Sequence, residues 1–156
     1  MGIGILTPVP VVHLKSALDT CAAVGRVAFG SNAWKLLQQA DEKYGEGIPV
    51  LMYPTHHHGD PDRLSDPGYV NFRGVFHGIT MAHGGKHPDP TIRPRTTIEE
   101  ATHDTAWAMF WEVSDLVHLT KEDRIAITDL TAEGGHKPFV KGFVPLGPML
   151  VKADFL

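Results

Sequence analysis

Apolar residues between positions 14 and 22 recur with the spacing of one helix face. Leu14, Ala17, Leu18, Cys21 and Ala22 stand at i, i+3, i+4, i+7 and i+8, with Lys15, Asp19 and Thr20 between them. The spacing predicts an amphipathic helix that stops near Gly25 and makes Cys21 a small buried hydrophobe rather than a reactive thiol. Arg26–Phe29 reads as a short strand. A turn at Gly30-Ser31-Asn32 follows, with an N-cap for a second helix whose stripe is Ala33, Trp34, Leu37 and Ala40. Ile48–Tyr53 is a buried strand with Pro49 at its start, where proline is tolerated. Tyr69–Ile79 alternates: Val70, Phe72, Gly74 and Phe76 share one face, Asn71, Arg73 and His77 the other. Residues 80–105 form a long connection rich in Pro, His and Thr. Trp107–Val113 is the clearest strand, with Trp107, Met109, Trp111 and Val113 on one face. Leu116–Thr131 reads as a strand end, a turn and a short further element, and Phe143–Val151 as a closing strand interrupted by Pro145 and Pro148. Two early helices followed by four or five strands define an α+β class with a mostly antiparallel sheet. The glycines at 74 and 78 suggest bends of the kind that curl a sheet into a small barrel.

Composition narrows this picture. A chain of 156 residues is one ordinary domain, residues 1–156, with enough apolar content to bury a core. No apolar run is long enough to span a membrane, and residues 1–15 do not read as a signal peptide. A single cysteine excludes a disulfide framework and a four-thiolate zinc site, so a reducing, cytoplasmic setting is the default. The net charge of −4, with no three adjacent Lys or Arg residues, argues against a protein that grips many phosphates. Arg93 and Arg95 supply at most a local patch.

The 12 Pro and 10 His residues lie largely in loops, and the histidines raise the question of a metal. His56-His57-His58 is read as a solvated loop, because adjacent residues seldom converge on one ion. His77, His83 and His87, with His103, could bind zinc or iron, yet no carboxylate or thiolate stands at a ligand spacing from them. No metal or other cofactor is therefore expected. The chain has no Gly-x-Ser-x-Gly elbow, no phosphate-binding Gly-rich loop and no dinucleotide fingerprint, so a non-enzymatic role is favoured.

Three stretches resemble the EVE domains of the PUA-like superfamily, relatives of the ASCH domains. Gly47–Thr55 resembles the strand that ends in an aromatic and a small polar residue. Val75–Thr91, ending in His87-Pro-Asp-Pro-Thr91, resembles the next strand and its loop. Trp111–His118 and Phe143–Pro148 resemble the strands that follow. The resemblance covers about residues 26–150 and implies a small PUA-like barrel with a concave pocket for a modified or flipped nucleobase, in RNA or DNA, or a similar polar aromatic ligand. The candidate pocket residues are Ser31, Asn32, Trp34, Tyr53 and Thr55, with His56 at the rim. Trp34 or Tyr53 would stack, Asn32 would read a base edge and Thr55 would add one hydrogen bond. Trp34 stands in the first turn of a helix beside two polar side chains, although Ser31 or Asn32 could equally be a simple cap and Trp34 pack inward. Two rival readings remain. One is a small His-dependent metal enzyme using residues 77–103, and the other an oligomeric protein, a homodimer for instance, with residues 80–105 as an arm.

Overall fold

The computed structural model describes residues 2–55, 68–100 and 107–153. Its strands and helices, in chain order, are β1 (Ile3–Pro10), α1 (Val11–Val24), β2 (Val27–Ser31), α2 (Trp34–Tyr44), β3 (Pro49–Thr55), β4 (Tyr69–Val70), β5 (Phe72–Met81), α3 (Arg95–Glu100), β6 (Met109–His118), β7 (Ile125–Ala126), β8 (Thr131–Ala132) and β9 (Met149–Lys152). Seven strands form one sheet in the order β2-β6-β5-β3-β1-β9-β8, and β4 pairs with β7 in a second, two-stranded ladder. Among the described strands only the β1–β3 pair is parallel. The class is α+β with a mixed, mostly antiparallel sheet. Among the described residues the expected closure into a barrel does not occur, because β2 and β8 stand at opposite edges with the other five strands between them.

The alternating patterns build the two faces. On one, Val50 and Met52 of β3, Phe72 and Phe76 of β5, and Met109, Trp111 and Val113 of β6 pack with Leu14, Ala17 and Cys21 of α1 and Leu37 and Ala40 of α2. Phe29 of β2 stacks on Trp111 with ring centroids 4.6 Å apart. Ala22 ends the predicted stripe in solvent, and Gly25, in a left-handed conformation, closes α1 by donating its N–H to the Cys21 carbonyl. On the other face, Leu6, Leu51, Tyr53, Val70, Ile127, Leu130 and Val151 form a second cluster, flanked by Phe139 and Phe143.

The strand absent from the sequence reading is β1. It lies between β3 and β9, yet its sequence carries Gly4, Pro8 and Pro10. Pairing with β9 covers only Ile3–Leu6, so both prolines fall where one flank of β1 has no partner strand to satisfy. Three further boundaries differ from expectation. The strand at Trp107 begins at Met109, and the closing strand shrinks to Met149–Lys152, leaving Pro145 and Pro148 in a loop. The 80–105 connection contains regular elements: β5 runs to Met81, residues 90–92 make a 3-10 turn, and α3 packs against α1.

β5 and β6 pair side by side along most of their length, as their alternation implies. Between them the register shifts twice, near Arg73–Val75 and near Phe76–Ile79. At the first shift Asp115 adopts a φ of 50°, which marks the extra residue of a bulge and re-aims the side chains of β6 beyond Ser114.

Candidate functional site

Alternation along β6 buries Met109, Trp111 and Val113 against the helices and places Phe110 and Glu112 on the opposite face. Glu112 is a carboxylate within the buried Met109–Val113 run of the strand, and its side chain is only 11% exposed. Its Oε1 accepts from Arg26 Nη1 at 3.2 Å. Its Oε2 accepts from the Thr80 hydroxyl, across the sheet on β5, and faces His87 Nε2 at 3.4 Å. Burial works against the carboxylate, but the bonds from Thr80, His87 and Arg26 outweigh it and hold Glu112 below the ordinary carboxylate range.

His87 has no freedom to choose its tautomer. The backbone N–H of Asp89 donates to Nδ1 at 2.8 Å, so the ring proton belongs on Nε2, the atom that faces Glu112. The ring meets Phe110 edge-on at 5.1 Å. Arg93 also packs on Phe110, with its guanidinium carbon 4.8 Å from the centroid, and donates to the Ala28 carbonyl of β2 at 2.7 Å. Burial pulls Arg93 down to about 10, which still leaves it charged at neutral pH. Asp89 is held in turn: its carboxylate accepts from the Thr91 N–H and hydroxyl, which lower its pKa. The His87-Pro-Asp-Pro-Thr91 stretch is thus folded by its own side chains onto the sheet.

Below this network His77 forms a second one. Arg26 Nη2 lies 3.3 Å from His77 Nδ1, and Ser114 Oγ lies 2.6 Å from Nε2. Glu46 stands 3.7 Å from Nδ1. Both nitrogens of His77 and both of His87 are engaged, and His83 sits in a tight turn with Lys86. Among the described residues no group of three His, Cys, Asp or Glu side chains is placed to hold a metal ion. The described part of the 80–105 connection lies on the chain's own sheet and on α1, not away from them as an arm. His103 lies outside the described residues, as do His56, His57 and His58.

Register decides which of the expected pocket residues meet. Ser31 pairs with Met109, and Met109 with Met81, so the ends of β2 and β5 and the start of β6 share one end of the sheet. The Ser31 hydroxyl accepts the Ala33 N–H at 3.0 Å, in the turn before α2. The Asn32 side-chain oxygen accepts the Ala108 N–H at 3.0 Å, tying that turn to the approach of β6. Trp34, the first residue of α2, keeps 45% of its surface exposed, with Lys35 Nζ 5.6 Å from its ring centre. Met81, at the same end of the sheet, is also exposed. The ring of Trp107 covers Gly30: a Cβ there would stand 2.5 Å from the indole.

Tyr53 and Thr55 are elsewhere. β3 descends from Pro49, opposite Val75, to Met52, opposite Phe72, and continues past it. They lie toward the far end of the sheet, separated from β2 by two intervening strands and roughly 30 Å along the strand direction from Ser31. Tyr53 is buried in the second apolar cluster. The five residues therefore do not line one pocket; Ser31, Asn32 and Trp34 stay together, while Tyr53 and Thr55 belong to the opposite end. Alternation had assigned Trp107 to the buried face of β6. It precedes the strand and faces Gly30, and only its nearness to the 80–105 connection could have hinted at that.

No helix among the described residues is long and apolar enough to cross a membrane. The chain matches no known protein family and no curated protein.

Proposed function

We propose that the chain is a binding module that grips a planar, polar ligand of nucleobase type at the sheet end formed by Ser31, Asn32, Trp34 and Trp107. One observation carries the reading: a half-exposed indole, Trp34, stands beside a fixed amide, Asn32, with a second indole against the same turn. An apolar side chain of this size is normally buried where nothing else uses it. Lys35 covers part of the ring with a flexible chain that a stacked base can displace.

The roles divide by chemistry. Trp34 supplies stacking area, worth about 1–3 kcal/mol per base. The Asn32 oxygen is committed to Ala108, which fixes the amide plane and leaves its nitrogen to donate to an acceptor on the base edge. Ser31, buried and bonded to Ala33, shapes the turn rather than touching the ligand. A modified or unpaired base, free or in a short RNA or DNA strand, fits this chemistry. The test is a titration of the protein with nucleosides and short single strands, followed by tryptophan emission. The reading requires saturable quenching, and Trp34→Ala should weaken affinity by about 5- to 150-fold. An unchanged affinity in Trp34→Ala would contradict it.

A further inference from the structure

We infer that His87 is a positioning residue for this site, acting through Glu112 and never through the ligand. Its importance for binding rests on the proposed function, whereas its action on Trp107 does not.

The geometry runs in one direction. Glu112 is a fixed post, clamped by Thr80 from β5 and by Arg26, the residue just before β2. His87 hangs on that post by Nε2–H, and the Asp89 N–H at Nδ1 keeps the proton where Glu112 needs it. With its side chain 4% exposed, His87 offers a ligand no surface. It directly follows a tight turn in which His83 N–H donates to the Lys86 carbonyl at 2.8 Å and Lys86 N–H to the His83 carbonyl at 3.2 Å. Within that turn the Gly85 carbonyl accepts the Trp107 N–H at 3.2 Å, and Ala82 N–H reaches the Ala108 carbonyl at 3.3 Å. Ala108 is the residue that holds Asn32. Anchoring His87 therefore anchors the 83–86 turn, the turn holds the backbone of Trp107, and the Trp107 ring covers Gly30 beside Ser31 and Asn32. Letting go of Glu112 frees the turn and, through it, the indole.

Two substitutions split the ring into its two bonds. His87→Gln places an amide N–H near the position of Nε2 and can still reach Glu112. His87→Asn places an amide oxygen near Nδ1, keeps the Asp89 bond and abandons Glu112. The readouts are the Trp107 indole N–H resonance, assigned with Trp107→Phe, and affinity for nucleosides. His87→Gln should leave the resonance in place and affinity within about 3-fold, while His87→Asn should move the resonance and weaken binding by about 10-fold or more. Equal effects in the two variants, or none in either, would overturn the proposal, because a side chain that only fills space does not distinguish the two bonds. A third measurement needs no variant: imidazole nitrogen shifts of the unsubstituted protein at neutral pH should show the Nε2–H tautomer of His87. Finding the Nδ1–H tautomer would overturn the proposal even if both variants fail to fold. If the tautomer and the Trp107 resonance behave as stated but no nucleoside or strand binds, the positioning role stands and the binding reading fails.

Discussion

Glu112 keeps its charge beneath the 82–94 segment because three donors meet it, and the consequences are measurable at that one residue. Its carboxyl titrates below the ordinary range in the folded chain, so it contributes stability that is fully present above the unfolded carboxylate range. That contribution is lost as pH falls through the lowered folded value. Asp41 acts in the opposite sense: burial, with Glu46 and Glu42 nearby, raises its pKa. The raised group costs stability at neutral pH, and the cost is relieved on acidification. A chemical-denaturation series from pH 7 downward should therefore show Glu112→Gln losing its difference from the unsubstituted protein at the acid end, and a constant difference would contradict this assignment. Glu112→Ala leaves Arg26 and His87 without their acceptor. It should cost about 3 kcal/mol, the lower end for a broken buried pair because Arg26 remains half in solvent. At Gly30 the constraint is space. Gly30→Val drives a side chain into the Trp107 ring and should cost about 1–3 kcal/mol while shifting Trp107 emission.

At the scale of elements, the 82–94 segment is fastened to the sheet by His87 and by Arg93, and the second anchor is separable from the first. Arg93→Ala removes the bond to Ala28 and the packing on Phe110, so the segment should become cleavable by protease at concentrations that leave the unsubstituted protein intact. Equal resistance would show that Arg93 does not hold it. The elements legible in the sequence were those whose periodicity is strong, namely the α1 stripe and the alternation of β5 and β6. β1 was hidden because two prolines and a glycine mask the strand pattern, although both prolines fall where one flank of β1 is unpaired and tolerates them. Ser31, Asn32 and Trp34 could be placed together because they are neighbours in sequence. Tyr53 and Thr55 could not be excluded from them, since strand order and direction are set by tertiary pairing and leave no local trace. Glu112 was the most informative residue passed over: a carboxylate amid the apolar Met109–Val113 run is a signal that something must neutralise it.

For the whole molecule, under the proposed function, an exposed indole at one sheet end of an acidic chain favours contacts to a base over contacts to a backbone. With a net charge of −4 and no run of basic residues, few phosphates are neutralised and few counterions released on binding a strand. The affinity for a short single strand should fall by less than about 10-fold between 50 and 200 mM salt, against the about 10³-fold or greater loss of a protein making many phosphate contacts. The most direct test of the account is one equilibrium titration of a nucleoside panel against the unsubstituted protein and Trp34→Ala, read by tryptophan emission. Saturable binding that weakens on losing Trp34, in a variant that melts at the same temperature, is the predicted result. Absence of saturable binding to every nucleoside and strand, or affinity indifferent to Trp34, would contradict the claim that this sheet end is a base-binding site.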